Sequence, residues 1–158
     1  TLREMKVINI LTPRSVVHAL EQNTTVSDAL AAEKTANFTR MPVFDKTVDN
    51  IVGVVLKAQL FQMKLQGNGE QNLQSIMLPI HRVSENLPVL LLLDIFIKRN
   101  EHIFLVEDQF GQTAGLVTLE DAIETLLGSE IVDESDTVED LQAFAKEKYR
   151  DRIRGKKN

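Results

Sequence analysis

The feature that most constrains the fold of this 158-residue chain is an internal repetition. A polar turn cluster, Gln66-Gly67-Asn68-Gly69-Glu70-Gln71-Asn72, separates two stretches that each read as helix, strand, strand, helix. In the first, Val26, Ala29, Leu30 and Thr35 follow helical spacing behind Thr25, an N-cap. Strands are expected at 41–44 and 51–56 around a turn at 45–50, and 57–65 returns to helical spacing. The second stretch predicts a helix over 87–97, strands at 103–106 and 114–117 around a turn at 108–111, and a helix over 119–127. One gap-free shift of 62 lays Arg40 on His102, Met41 on Ile103, Gly53 on Gly115, Leu56 on Thr118 and Gln59 on Asp121. In the opening segments a shift of 66 lays Thr12 on Leu78. Two tandem copies of about 60 residues are each marginal as separate domains, so they are expected to share a core. The boundaries are 5–66 for repeat one, 73–136 for repeat two and 137–158 for a C-terminal helix with a basic tail. That helix opens on Thr137-Val138-Glu139-Asp140, which resembles a capping box, and carries a stripe of Leu141, Phe144, Ala145, Tyr149 and Ile153.

Composition narrows the function classes. Apolar residues make up 43% of the chain, enough for a soluble globular core, and the longest continuous apolar run is only Val89 to Leu93. A membrane span needs about 20 such residues, so none is expected here. The absence of cysteine excludes a disulfide framework, thiolate metal sites and a cysteine nucleophile, and is compatible with a reducing cytoplasm. A net charge of −5 argues against a nucleic-acid partner. The charge is unevenly spread, with seven acidic and no basic residues over 124–140, then seven basic residues over 146–157. The polar start Thr1-Leu2-Arg3-Glu4-Met5 has no apolar segment behind it and does not read as a signal peptide; the chain is expected to be a piece of a longer protein.

Catalysis finds little support. His18, His81 and His102 lie far apart in sequence and none has metal-ligand spacing; phosphate-loop, nucleophile-elbow and dinucleotide-fold glycine patterns are missing. The acidic run around Asp133, Glu134 and Asp136 reads as a solvated face rather than a cation site.

More informative is what differs between matched positions. Thr118 stands at the start of the helix after the last strand, with Asp121 in its first turn. One reading is a capping box. The other is a ligand site: free N–H groups at a helix start attract phosphate, a threonine hydroxyl donates to it, and a nearby carboxylate accepts both ribose hydroxyls. Repeat one holds Leu56 and Gln59 at those positions, while repeat two holds Leu78 where repeat one has Thr12. A cleft between pseudo-symmetric repeats would then combine Thr12, Thr118 and Asp121 on one side of the molecule, and leave Leu78, Leu56 and Gln59 on the other.

Together with the paired repeats, three segments resemble a tandem CBS-domain pair, or Bateman module: Thr39-Arg40-Met41-Pro42-Val43, Asn50-Ile51-Val52-Gly53-Val54-Val55 and Gly115-Leu116-Val117-Thr118-Leu119-Glu120-Asp121. Leu11-Thr12-Pro13-Arg14 and the segment 128–136 are similar to the flanking motifs of the CorC/HlyC and cyclin M membrane proteins. The resemblance implies an α/β fold of two β-α-β-β-α repeats about a pseudo-two-fold axis, with adenine nucleotide (AMP, ADP or ATP) in the cleft between them. It implies that Thr12 and Thr118 contact phosphates and Asp121 the ribose. Phe38, Thr39, Met41 and Pro42 would surround the adenine, with backbone groups near Met41 reading its edge and Arg40 near the phosphates or ribose. Any Mg²⁺ would arrive on the nucleotide phosphates. It further implies a non-enzymatic regulatory module on the cytoplasmic side of an inner-membrane protein concerned with divalent cations, joined to an N-terminal transmembrane domain and paired as a homodimer. Leu92, Ile95, Phe96 and the helix over 119–127 are the expected dimer contacts. The competing reading is a nucleotide-free dimerisation scaffold; a nucleotide hydrolase lacks a positioned base.

Overall fold

Each repeat opens with a short strand that the hydrophobic pattern alone did not reveal. In the computed structural model, which describes residues 2–134, repeat one runs β2 (Leu20–Glu21), α1 (Val26–Ala31), β3 (Arg40–Phe44), β4 (Ile51–Leu56), α2 (Lys57–Leu65). Repeat two runs β5 (Arg82–Ser84), α3 (Val89–Arg99), β6 (Ile103–Glu107), β7 (Thr113–Thr118), α4 (Leu119–Glu134). This is the β-α-β-β-α order expected for each copy. The C-terminal helix expected over 137–158 lies outside the described residues.

Local chemistry sets the element ends. Thr25 caps α1, its hydroxyl oxygen accepting from the Asp28 N–H at 3.1 Å. Pro88 precedes α3, whose start at Val89 follows from the fixed backbone of proline at a helix entrance. Asn100 ends the same helix in the left-handed conformation at φ 51°, a geometry asparagine tolerates better than most residues. The last helix runs past the expected end at 127, through Gly128 to Glu134.

A strand exchanged between the sheets ties the two repeats together. In each repeat the opening strand lies parallel to the third element and antiparallel pairing follows, giving β2-β3-β4 and β5-β6-β7. The short β1 (Thr12–Pro13), ahead of repeat one, pairs antiparallel with β7 of repeat two, Thr12 facing Leu116. Its counterpart ahead of repeat two bridges β4 of repeat one through Leu78 and Val54. Both crossings need a glycine beneath them. A Cβ on Gly115 would stand 2.0 Å from the Thr12 carbonyl oxygen, and one on Gly53 would stand 2.8 Å from that of Leu78.

Strand pairing corrects the sequence register by one residue in β3 and β6, the first strand of each hairpin. Arg40 faces Leu56 and Ile103 faces Thr118, so Arg40 corresponds to Ile103 rather than to His102, and Met41 to Phe104 rather than to Ile103. The offset is 63 residues before the hairpin turn and 62 after it, because the turn between Phe44 and Ile51 holds one residue more than that between Glu107 and Thr113. Turn residues do not enter the ladder, so an insertion there leaves pairing intact.

With that correction the two cores superimpose. Val26, Met41, Val43 and Val55 of one match Val89, Phe104, Val106 and Val117 of the other, and all are fully buried. The opening segments follow suit, Val7 packing into the second core and Leu73 into the first. A third cluster of Ile51, Val54, Ile103, Leu105 and Leu116 lies between the sheets and joins the copies. Each side chain of this size contributes about 1.5–3 kcal/mol on burial. Leu92 and Phe96 belong to the second core, Phe96 stacked on Phe104 at 4.3 Å, which removes them from the expected dimer surface. The helical period instead turns Leu90, Leu91 and Ile97 outward, while Ile95 is partly buried against the core.

Candidate functional site

Two clefts flank the shared cluster between the sheets, and the better equipped one is about 330 Å³. One wall comes from repeat one: the segment entering β2, with Val16, Val17 and His18, then Asn37, Phe38, Thr39, Arg40 and Pro42 at the start of β3. The other comes from repeat two and the strand exchanged onto it: Thr12, Ile103, Leu116, Thr118, Glu120 and Asp121. Residues more than a hundred positions apart thus meet because β1 adds to the sheet whose last strand feeds α4.

Seven of the eight residues anticipated from sequence line this cleft: Thr12, Phe38, Thr39, Arg40, Pro42, Thr118 and Asp121. The side chain of Met41 does not. It is fully buried in the core of repeat one, since alternate residues of a strand face opposite ways, and only its backbone lies near the site.

The capping box and the ligand site expected at Thr118 are compatible. The Asp121 N–H donates to Thr118 Oγ1 at 3.2 Å, as an N-cap requires. A hydroxyl that accepts in this way still has its own proton to donate, and among the described residues no acceptor takes it. The Asp121 carboxylate likewise lines the cleft while its backbone carbonyl accepts from the Thr125 hydroxyl at 2.9 Å. At the start of α4 the Leu119 N–H is taken by the His102 carbonyl at 2.9 Å and the Asp121 N–H by Thr118 Oγ1, so the groups that can together bind an anionic ester next to a diol are the Glu120 N–H, the Thr12 and Thr118 hydroxyls on the same wall, and the acidic acceptor in the first turn. Arg40 is close to Glu120 at 3.8 Å, and Glu120 also approaches His102 at 3.7 Å, so the guanidinium sits at the rim with its charge only loosely engaged.

Among the cleft-lining residues that the sequence reading did not anticipate, His18 is the one that can hydrogen-bond through a ring. Its ring lies 5.5 Å from that of Phe38, and Nε2 is 3.3 Å from the Thr35 hydroxyl. Burial, with a smaller effect from the Lys34 ammonium, holds its pKa below the ordinary value of 6.5, so the ring is neutral at pH 7. The corrected offset lays His18 on His81, and this pairing of histidines is the signal a one-residue misalignment concealed.

The pseudo-symmetric cleft, about 390 Å³, is lined by Val54, Leu56, Leu78, His81, Glu101 and His102 among others. Leucines replace both threonines. Glu101 stands where Phe38 stands and holds His81, Nδ1 to Oε1, at 2.7 Å. Gln59, in the place of Asp121, donates instead to the Ile76 carbonyl at 3.1 Å.

Comparison with known proteins agrees with this architecture. The CBS-domain family model matches residues 74–128. The chain is 33% identical over 147 residues to the UPF0053 protein sll1254 of Synechocystis, covering 93% of this chain and 42% of that protein. It is 30% identical to the magnesium and cobalt efflux protein CorC of Vibrio cholerae, covering 94% of this chain and 51% of that one. The chain therefore spans about half the length, or less, of these curated relatives. Among solved structures, the CBS domain of a bacterial CNNM/CorC family Mg²⁺ transporter in complex with ATP is 38% identical. It superimposes with a TM-score of 0.76 over 80% of this chain and 90% of that one. The CBS domain of a putative transporter from Clostridium difficile is 31% identical, with a TM-score of 0.74 over 81% of this chain and 98% of that one. With the repeat order, the strand exchange and these similarities in agreement, the chain belongs to the CBS-domain modules of the CNNM/CorC family.

Proposed function

We propose that this chain is a non-enzymatic regulatory module that binds an adenine nucleotide in the cleft between Thr12, Thr118 and Asp121 on one wall and Phe38 and Pro42 on the other. The observation that carries the reading is convergence: hydroxyl donors, a helix start and a carboxylate from opposite ends of the chain meet in one cleft of about 330 Å³, within the range of small-molecule sites. In this reading Thr12 and Thr118 donate to phosphate, Asp121 accepts from the ribose hydroxyls, and Phe38 and Pro42 give the base its apolar contact. Arg40, at the rim beside Thr39, attracts the phosphates. A relative of the same family is known in complex with ATP, which supports the ligand class. In this reading any Mg²⁺ enters on the nucleotide phosphates.

The module regulates by preferring one arrangement when loaded. A nucleotide that binds two arrangements with a tenfold difference in affinity shifts their balance by about 1.4 kcal/mol, the scale at which control begins. The parent protein in this reading is a CorC/HlyC-type membrane protein concerned with divalent cations, with this module on its cytoplasmic side. Among the described residues no helix is long and apolar enough to cross a membrane. Phe61 and Leu65 on α2 and Ile123 and Leu127 on α4 are exposed, an apolar supply for pairing two modules.

Calorimetric titration of the chain with AMP, ADP and ATP, with and without Mg²⁺, tests the reading. One site per chain, weakened strongly by Asp121→Ala, is the expected result. Neither heat nor thermal stabilisation with any of them at millimolar concentration would overturn it in favour of a dimerisation scaffold.

A further inference from the structure

The nitrogens of His18 are unequally committed, and the difference points to a recognition role. Thr35, almost fully buried, donates its hydroxyl proton to the Ala29 carbonyl at 2.7 Å. Its oxygen therefore faces His18 Nε2 as an acceptor, and the neutral ring must carry its proton on Nε2. Nδ1 is left with a lone pair and, among the described residues, no hydrogen-bond donor meets it. The ring is tilted by 30° against Phe38 in the wall that also carries Pro42, opposite the Thr12, Thr118 and Asp121 wall. A flat heterocycle seated against Phe38 would present its edge to that lone pair.

We infer that His18 is a specificity-determining residue that reads the 6-position of a bound purine, its Nδ1 accepting from the exocyclic amino group of adenine and repelling the oxygen of a 6-oxo purine. This rests on the nucleotide reading of the cleft. The equivalent His81 cannot serve in the same way, because its Nδ1 is held by Glu101 at 2.7 Å. The role depends on the ring being neutral. Protonation turns Nδ1 into a donor, which no longer accepts from the 6-amino group and instead matches a 6-oxo group. The charges bearing on that step come from three elements: Lys34 on the turn before β3 opposes protonation, Arg40 at the start of β3 adds positive charge at the rim, and Glu120 and Asp121 on α4 supply negative charge across the cleft.

The test is the ratio of AMP to IMP affinity, measured by calorimetry from about pH 7.5 down to about pH 5.5, a range that brackets imidazole titration. The two ligands differ at the base, and the second ionisation of the phosphate, near pH 6, is common to both and cancels in the ratio. The wild-type chain is expected to favour AMP by about tenfold or more at the upper end, as a site built to accept from a donor rejects the analogue that lacks it. The preference should shrink with acid. His18→Phe, which keeps a ring beside Phe38, should bring the ratio close to one at every pH; circular dichroism and a thermal melt verify its fold. An unchanged ratio in that variant, or a wild-type ratio independent of pH, would overturn the role of His18 while leaving nucleotide binding intact. Failure of wild type to bind either ligand or ATP would overturn the nucleotide reading itself.

Discussion

The two clefts are built from matched backbone and differ in what fills it. On one side Thr12, Thr118, Asp121 and Phe38 line the space; on the other the same strands and helix starts carry Leu78, Leu56, Gln59 and Glu101. Even the histidines correspond, yet His18 is neutral beside a phenyl ring whereas His81 is closed off by a carboxylate. A duplicated fold thus provides two cavities of similar size, and side-chain chemistry decides which can hold an anionic, base-bearing ligand. On the proposed reading, one site per chain would follow from a handful of substitutions rather than from any difference in architecture.

The largest expected effect breaks the exchange that joins the halves. Gly115→Ala places a methyl group against the Thr12 backbone, where nothing flexible can yield, and should cost about 3 kcal/mol or more while displacing Thr12 from the cleft. Gly53→Ala meets the Leu78 carbonyl at 2.8 Å and the mobile Met77 side chain, so it should cost less and spare nucleotide binding. Urea unfolding and calorimetry on both variants check the order, and equal losses would mean that the two crossings are interchangeable.

Next in size is the contrast between Asp121→Ala and Gln59→Ala. Loss of a charged acceptor for two ribose hydroxyls should weaken binding on the order of 10²-fold, given about 1.5–3 kcal/mol for hydrogen bonds to charged groups. Gln59→Ala, in the other cleft, should leave the affinity unchanged.

A graft sharpens the comparison in the opposite direction. The triple change Leu78→Thr, Leu56→Thr and Gln59→Asp gives the second cleft the polar groups of the first. Calorimetric stoichiometry should rise from one nucleotide per chain toward two, the new site being the weaker because Glu101 replaces the phenyl ring and the Gln59 bond to Ile76 is lost.

The smallest effect is on stability. Because the folded chain holds the His18 pKa below 6.5, unfolding takes up a proton in acid, and the contribution of neutral His18 is present above that pH and lost as the pH falls through its folded pKa. The decline of the urea midpoint between about pH 7.5 and about pH 5.5 should be shallower in His18→Phe, since the histidine range is what the change removes. An identical decline in both proteins would show that His18 is not titrating differently on folding.

Much of this was written in the residues themselves. The repeat, the helix-strand-strand-helix order within it, the turn glycines and the asymmetry of Thr118 and Asp121 against Leu56 and Gln59 are legible because periodicity, capping chemistry and turn propensity are local properties, whereas the opening strand of each repeat followed only from the family resemblance. Met41 shows the limit of that reading for side chains. It lies in the same motif as Arg40 and Pro42, but which way each residue of the strand faces is decided only when the sheet packs, and Met41 turned inward. His18 was obscured for a related reason: matching it to His81 depends on a one-residue insertion in a turn, and pairing between strands, not similarity along the chain, locates the insertion. The exchange of β1 onto β7 likewise brings Thr12 to Thr118 through contacts that no local pattern encodes. The sequence by itself determined which elements form and which polar groups each copy retains. Only the tertiary structure decided which of those groups share a cavity, because strand register and the crossing of the opening segments are set by long-range hydrogen bonding and by the burial of both cores together.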